Sequence, residues 1–389
     1  GMCLNWGCIP SKSMIESLKL YNKISKDAGR FGIEGIDKNS VCFNWNKALK
    51  RADGIVKKLT GGVEFLLKKN GVDIINGEAK IVSANSILVD NRLLETKSII
   101  IATGSTSPTL KSSNAGLVIE PAELFKERDF PENIVIYGKS PVAVELAQAF
   151  NLMDKKVTLI SDGSSIMPKA DKYISSFILN KLKKERIEVI FDFKIESVDS
   201  IWSGGILNVN GKEVKCEMII NASDRLGNLI SSDIQIETSD GYYSVNDHFM
   251  TSVENIYAVG DVNGLSMFAH VGSAQGLNVV NRLKGIDHKL DMKKLPLNMY
   301  TIPEAAQIGL TEDEVKAEGV DYKISEFPLS ANGKAQTEGN AEGFVRILSD
   351  KKYGEVLGVQ IVASNATDMN NKASAYIQLE STVYDIAQT

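Results

Sequence analysis

The sequence predicts an α/β fold: two Rossmann-like nucleotide-binding domains and an α+β C-terminal domain. The apolar run Ile134-Val135-Ile136-Tyr137 reads as a buried strand. It enters the turn Gly138-Lys139-Ser140-Pro141, a helix reaching about Met153 and a further strand, Val157–Ile160, which together make a βαβ unit of the dinucleotide-binding type. A second strand–turn–helix follows in Asn255-Ile256-Tyr257-Ala258-Val259-Gly260-Asp261-Val262, with a helix running from Met267-Phe268-Ala269-His270 to Leu283. The last stretch holds strands around Gly343–Leu348 and Glu355–Val362 and then a helical tail. A length of 389 residues accommodates two or three such domains.

The chain opens with Gly1-Met2-Cys3-Leu4-Asn5-Trp6-Gly7-Cys8-Ile9-Pro10-Ser11-Lys12-Ser13. Pro10 suits the first turn of a helix, where the missing N–H costs nothing. Helical periodicity runs from about Ser11 to Ile24, which puts Cys8 at a helix N-terminus. The partial positive charge there favours a thiolate, and Lys12 adds a cation on the same turn. A low-pKa thiolate with a second thiol one turn away, Cys3, is the layout of a redox-active disulfide. The alternatives are a stabilising disulfide or a zinc site. Zinc needs further Cys or His at ligand spacing, and the other two cysteines, Cys42 and Cys216, stand alone, so no metal site is expected.

Helical spacing returns over Trp45–Lys69, with Ile55, Leu59, Val63 and Leu66 on one face. Short strands are expected at Val72–Ile75, Ser86–Val89 and Ser98–Ile101, the last ending in Ala102-Thr103-Gly104-Ser105. A helix over Tyr173–Lys184 and a strand at Met218–Asn221 complete the central region. Hydrophobic content of 43% and charged content of 24% are those of a globular protein, and a net charge of −5 argues against nucleic acid as a partner. No apolar run reaches the length of a membrane span and no signal peptide opens the sequence. Four cysteines, two of them in a reactive-looking pattern, suit a reducing compartment, and the expected location is cytoplasmic.

The run Cys3-Leu4-Asn5-Trp6-Gly7-Cys8-Ile9-Pro10-Ser11-Lys12 resembles the pyridine-nucleotide disulfide oxidoreductases, and among them the dihydrolipoamide dehydrogenase group, whose pattern is C-L-N-x-G-C-I-P-S-K. The resemblance extends through Ala102-Thr103-Gly104, the Gly260-Asp261 turn and Tyr300-Thr301-Ile302-Pro303-Glu304 to the end of the chain. It implies FAD and NAD as cofactors. It also implies four segments: a first FAD part at 1–125, an NAD domain at 126–246, a second FAD part at 247–296 and a dimerisation domain at 297–389. It assigns catalysis to Cys3, Cys8, Lys12 and Glu145, the last pairing with Lys12 beside the flavin. It places FAD against Lys12, Ala79, Thr103, Gly104, Ser105, Gly260, Asp261, Met267, Phe268, Ala269 and His270. It places NAD against Gly138, Ser140, Ala143, Glu145, Ser161 and Asp224.

Departures from the family pattern are concentrated in the NAD loop. Gly138 and Ala143 fit the first and third positions of G-x-G-x-x-G/A, but Ser140 stands at the second, where its Cβ crowds the approach to a diphosphate. Pro141 occupies the position that gates the nicotinamide pocket. Ser161 stands where NAD enzymes carry the ribose-binding acid, with Asp162 next to it, and Asp224-Arg225 replaces Gly-Arg. No Arg cluster follows Ile160, which favours NAD over NADP. The family pattern also has a βαβ unit before the cysteine motif and a His-x-x-x-x-Glu pair late in the chain. Gly1 falls at the second Gly of the family's G-G-T-C, and none of His248, His270 and His288 matches the position of that His, so the expectation is a sequence trimmed at both ends relative to the pattern.

The implied activity is oxidation of protein-bound dihydrolipoamide with NAD as acceptor, in a homodimer, the partner being the lipoyl-bearing protein of a 2-oxoacid dehydrogenase or glycine cleavage complex. In this scheme Cys3 is the interchange thiol and Cys8 the flavin-facing thiolate. Two other readings stay open: a reductase of another disulfide or of a metal ion, and a non-catalytic family member, suggested by the altered NAD loop.

Overall fold

The computed structural model describes all residues except 38, 39, 115 and 200. It opens with helix α1, Met2–Trp6, and helix α2, Cys8–Asn22, which meet at Gly7. A Cβ on Gly7 would lie 3.1 Å from the Met2 carbonyl, so a glycine lets the two helices abut. The helical periodicity expected to end at Ile24 continues as a π-turn over Lys23–Asp27. Helix α3, Trp45–Lys69, begins where the Asn44 side chain accepts a hydrogen bond from the Lys47 amide. Its buried residues are Trp45, Leu49 and Ala52, in the first two turns. Leu59, Val63 and Leu66, expected on one helix face, are exposed, because the remaining turns project beyond the packed region.

The strand expected at Val72–Ile75 does not form. This stretch leaves α3 with Val72 bonded back to the Leu67 carbonyl, and Val72 and Ile74 stay exposed. The next strands, Ala79–Ser83, Ser86–Val89 and Arg92–Glu95, build a meander. Strand Ile99–Ile101 pairs in parallel with Ile256–Ala258, joining two distant parts of the chain. Ile99 and Ile101 point into a core shared with Ile256 and Ala258, which is the period-two pattern of a strand with one buried face. The second of these strands leads to helix α6, Ala269–Leu283.

Between them lies a five-stranded parallel sheet in the order Val118–Ile119, Met218–Asn221, Asn133–Tyr137, Lys156–Ile160, Glu188–Ile190. Ile134, Val135, Ile136 and Tyr137 are buried on both faces, as the continuous apolar run requires. Helix α4, Pro141–Leu152, and helix α5, Lys172–Lys184, cover the sheet. From Asn133–Tyr137 the chain moves outward through Lys156–Ile160, then returns to the opposite side at Met218–Asn221. The crevice at the carboxyl ends of Asn133–Tyr137 and Met218–Asn221 is therefore the topological switch point, where such sheets bind ligands. Gly138 holds it narrow: its φ is +149°, and a Cβ there would lie 2.2 Å from the Ala222 carbonyl.

The chain closes with a five-stranded antiparallel sheet in the order Leu297–Met299, Glu304–Gly309, Val356–Ala363, Phe344–Asp350, Tyr322–Pro328. Helix Ala366–Gln378 packs Ala366, Ala373 and Ile377 against Ile308, Val359 and Ile361. Gly343 enters the strand Phe344–Asp350 with φ +131°, and a Cβ there would meet the Val362 carbonyl at 1.9 Å. Neither the dihedral nor the space admits a side chain. A Gly343→Ala variant is expected to lose about 2 kcal/mol of stability in urea denaturation. An unchanged midpoint would show that the strand entrance relaxes freely. No helix among the described residues is long and apolar enough to cross a membrane.

Candidate active site

Cys3 is the second residue of α1 and Cys8 the first residue of α2, and their sulfurs are bonded. Their Cα atoms are 4.5 Å apart, within the reach of a disulfide. No side chain caps α2, so its first-turn amides and the helix dipole bear on Cys8. The Ser11 hydroxyl is turned back to the carbonyls of Gly7 and Cys8 and holds the bend between the helices.

One turn after Cys8, the Lys12 ammonium donates to the Glu145 carboxylate at 2.8 Å. Glu145 lies on α4 and is only 6% exposed. Its other oxygen accepts the Tyr300 amide at 2.8 Å, and the Tyr300 ring lies 4.4 Å below the Lys12 ammonium. A buried carboxylate is thus satisfied by one cation and one N–H, and the cation is satisfied by one carboxylate and one aromatic face. Three remote segments of the chain meet here. Burial, followed by the charges of Glu304 and Glu145, pushes the Tyr300 phenol above its usual range. The pairing of Lys12 with Glu145 was foreseen in the sequence; Tyr300 as the third member was not, because nothing local to it signals the contact.

A second cluster gathers at the turn after Ile256–Ala258. Asp261 accepts the Ser105 hydroxyl at 2.6 Å, and the Met267 sulfur lies 3.8 Å from the same hydroxyl. Arg225 donates from Nε to the Ser105 hydroxyl at 2.9 Å and from its terminal nitrogen to the Ser105 carbonyl. Burial pushes the Arg225 guanidinium below its usual range, against the pull of Asp261 and Glu120. Arg225 was noted in the sequence only as part of an altered Gly-Arg; its role in fixing Ser105 depends on a pairing between distant loops. Gly260 adopts φ +74° and donates its amide to the buried Gln275 side chain at 2.7 Å. Phe268 precedes α6 without a side-chain cap, and its ring stands 5.6 Å from that of His270. His270 is held by the Pro296 carbonyl at 2.7 Å.

These residues fit the flavin part of FAD. Asp261 has carboxylate capacity left to accept ribityl hydroxyls, and the uncapped first turn of α6, at Ala269, supplies free amides and positive potential for an anionic reduced ring. Thr103 departs from the expected role: its hydroxyl donates to the Asn228 carbonyl at 2.6 Å, so it clasps the crossing chain rather than offering a free donor. Gly104 has φ +75° and accepts the Asn228 amide, completing that clasp. Ala79 opens the strand Ala79–Ser83, paired opposite Val89.

At the switch-point crevice, α4 starts at Pro141 with Ser140 in the N-cap position and no side-chain cap. Pro141 has no N–H and the Ala143 amide bonds the Ser140 carbonyl at 3.1 Å, so the first turn offers a diphosphate the Val142 amide and the helix dipole. Ala143 is fully buried, giving the close helix–strand packing of the third motif position. Ser161, expected at the ribose, is not available to a ligand. It is fully buried, its hydroxyl donating to the Gly163 carbonyl and accepting the Gly163 amide. Strand direction alternates, so a one-residue step turns Asp162 toward the crevice instead, where it meets Lys139 at 3.1 Å. Asp224 also reaches Lys139, at 3.0 Å. The crevice therefore gathers Lys139, Asp162 and Asp224, and Asp162 rather than Ser161 faces it.

A family model described as pyridine nucleotide-disulphide oxidoreductase matches residues 1–276, and one described as the dimerisation domain of that family matches residues 295–389. The chain is 32% identical over 409 residues to the mitochondrial dihydrolipoyl dehydrogenase 1 of Arabidopsis thaliana, covering all of this chain and 79% of that protein. It is 31% identical over 399 residues to a dihydrolipoyl dehydrogenase of Bacillus subtilis, covering all of this chain and 86% of the relative. Among solved structures, the fold matches LpdA from Mycobacterium tuberculosis with a TM-score of 0.89 at 21% identity, over 100% of this chain and 87% of the other. It also matches the HOCl-induced flavoprotein disulfide reductase RclA from Escherichia coli, with a TM-score of 0.83 at 20% identity over 98% and 86% of the two chains. With its cysteine pair, its Lys12–Glu145 contact and two family models spanning nearly its whole length, the chain belongs to the pyridine nucleotide-disulphide oxidoreductase family, flavin-dependent enzymes that use FAD and NAD.

Proposed function

We propose that this protein oxidises the dithiol of a protein-bound dihydrolipoyl group and passes the electrons to NAD, acting as a homodimer. The observation that carries this is the Cys3–Cys8 disulfide lying one helical turn from the Lys12–Glu145 pair. The dihydrolipoyl dehydrogenases among its relatives and the matched dimerisation domain support it.

A substrate thiolate attacks the Cys3 sulfur, forming a mixed disulfide and releasing Cys8 as a thiolate. The uncapped N-terminus of α2 stabilises that leaving thiolate. The second substrate thiol, on losing its proton, then displaces Cys3 and closes the substrate disulfide. Two electrons and one proton now reside on the cysteine pair, as one thiol and one thiolate. FAD, when held there, would supply the two-electron carrier between the reduced pair and NAD. Asp261 and the first turn of α6 would hold the flavin side, and Lys12, fixed by Glu145 and Tyr300, holds a positive charge one turn after Cys8 on α2. The intact Lys12–Glu145 pair favours a working centre over a non-catalytic subunit, which has no need to keep a buried carboxylate matched to a cation.

Titrating the FAD-loaded protein with dihydrolipoamide is expected to produce a long-wavelength charge-transfer shoulder on the flavin absorption as Cys8 is released. A flavin spectrum unchanged by the dithiol, but altered by another disulfide's reduced form, would replace the lipoyl assignment.

A further inference from the structure

Three charged side chains share the switch-point crevice, and their arrangement departs from the family's Gly-rich pattern. Lys139 leaves the carboxyl end of Asn133–Tyr137, one residue before the N-cap of α4. Its ammonium lies 3.1 Å from Asp162 and 3.0 Å from Asp224, carboxylates that follow the two flanking strands. The lysine side chain therefore spans the crevice beside the first turn of α4. Burial alone would push Lys139 down; the hydrogen bonds and charges of Asp224 and Asp162 outweigh it and hold the ammonium above its usual range. The two carboxylates are unequal. Asp162 is 26% exposed, whereas Asp224 is 61% exposed and has water as an alternative partner. A dinucleotide's diphosphate brings negative charge to the same helix N-terminus. Asp224 and that diphosphate then stand as rivals for one ammonium, and they repel one another.

We propose that Lys139 is an exchangeable counterion of the nucleotide crevice: its ammonium leaves Asp224 and pairs with the diphosphate as the dinucleotide enters, so that Asp224 limits the affinity. This rests on nucleotide binding in the crevice and is independent of the dithiol substrate. Lys139 supplies the charge-assisted contact that the glycine loop, crowded by Ser140, offers less well.

The test is isothermal titration of the FAD-loaded protein with ADP-ribose, which carries the diphosphate but no hydride, and with adenosine, which carries no charge. Asp224→Asn is expected to bind ADP-ribose about fivefold tighter, the upper range for an exposed ion pair. Lys139→Met is expected to bind it about tenfold weaker, the loss of one charge-assisted hydrogen bond. The gain from Asp224→Asn should shrink in the Lys139→Met background, and adenosine affinity should follow neither change. Unchanged ADP-ribose binding by Asp224→Asn, or tighter binding by Lys139→Met, would overturn the exchange. Asp224 is exposed and its isosteric change leaves the fold intact, so the first result stands even if Lys139→Met folds poorly. No ADP-ribose binding by the wild-type protein would overturn both the exchange and the crevice as the nucleotide site, leaving the dithiol chemistry to be judged by the flavin titration.

Discussion

A Cys3→Ser variant is expected to lose turnover with dihydrolipoamide by on the order of a thousandfold or more, while its flavin keeps a long-wavelength interaction with the Cys8 thiolate. The reason is the division of labour between the two sulfurs. Substrate sulfur must bond to Cys3 before Cys8 is released, and a hydroxyl cannot form that bond. Cys8 keeps its place at the uncapped start of α2, so its thiolate stays stabilised by the same amides. Cys8→Ser should lose both the turnover and the absorption. Steady-state NAD reduction and a visible spectrum of each variant decide the matter. Turnover within tenfold of wild type in Cys3→Ser would refute the assigned roles.

An Arg346→Met variant is expected to lose about 3 kcal/mol of stability in urea denaturation, the cost of removing the cation beside the buried Asp171 carboxylate and the half-buried Glu312. Arg346 is 4% exposed on the strand Phe344–Asp350. Its guanidinium contacts Glu312, lies 3.6 Å from Asp171 and sits 4.7 Å from the Tyr173 ring. Asp171 caps α5 through the Tyr173 amide and also accepts the Glu312 amide. One arginine therefore fastens a helix of the parallel-sheet region to the terminal antiparallel sheet. Hydrogen bonds from Lys316 and Arg346 hold Glu312 down at about 2, against a usual value of 4.5. A depressed carboxylate contributes stability above its unfolded value, and that contribution fades as pH falls from about 4.5 toward 2. The gap between wild type and Arg346→Met should therefore narrow across that window. A gap below 1 kcal/mol at neutral pH, or one independent of acid, would remove the arginine from this role.

The elements with one strong local signal were legible in the sequence. Asn133–Tyr137 is a continuous apolar run ended by a glycine, and the structure begins it one residue earlier than Ile134. Trp45–Lys69 was bounded to the residue, since Asn44 caps one end and helical spacing carries the rest. Val72–Ile75 misled because β-propensity says nothing of a partner strand, and none comes alongside. The site was half legible. The cysteine pair and Lys12 lie within ten residues, and α4 delivers Glu145. Tyr300, Arg225 and the Lys139 bridge were not, because each contact is made across more than a hundred residues or between loops whose approach depends on sheet order. Ser161 lies buried while its neighbour Asp162 faces the crevice, since after a strand one position is the difference between the core and the surface.

The short loop closed by Cys3 and Cys8 bears on how the protein survives its own chemistry. Only four residues separate the two cysteines, so the cross-link removes little freedom from the unfolded chain, roughly 2 kcal/mol on a loop-entropy scale. Cys8 is held by α2, which is anchored by buried Met14, Ile15 and Leu18 rather than by the sulfur bridge, and α1 abuts it across the tight Gly7 junction. Opening the bridge therefore leaves the scaffold standing, and the sulfur pair can be broken and remade as a moving part instead of serving as a rivet.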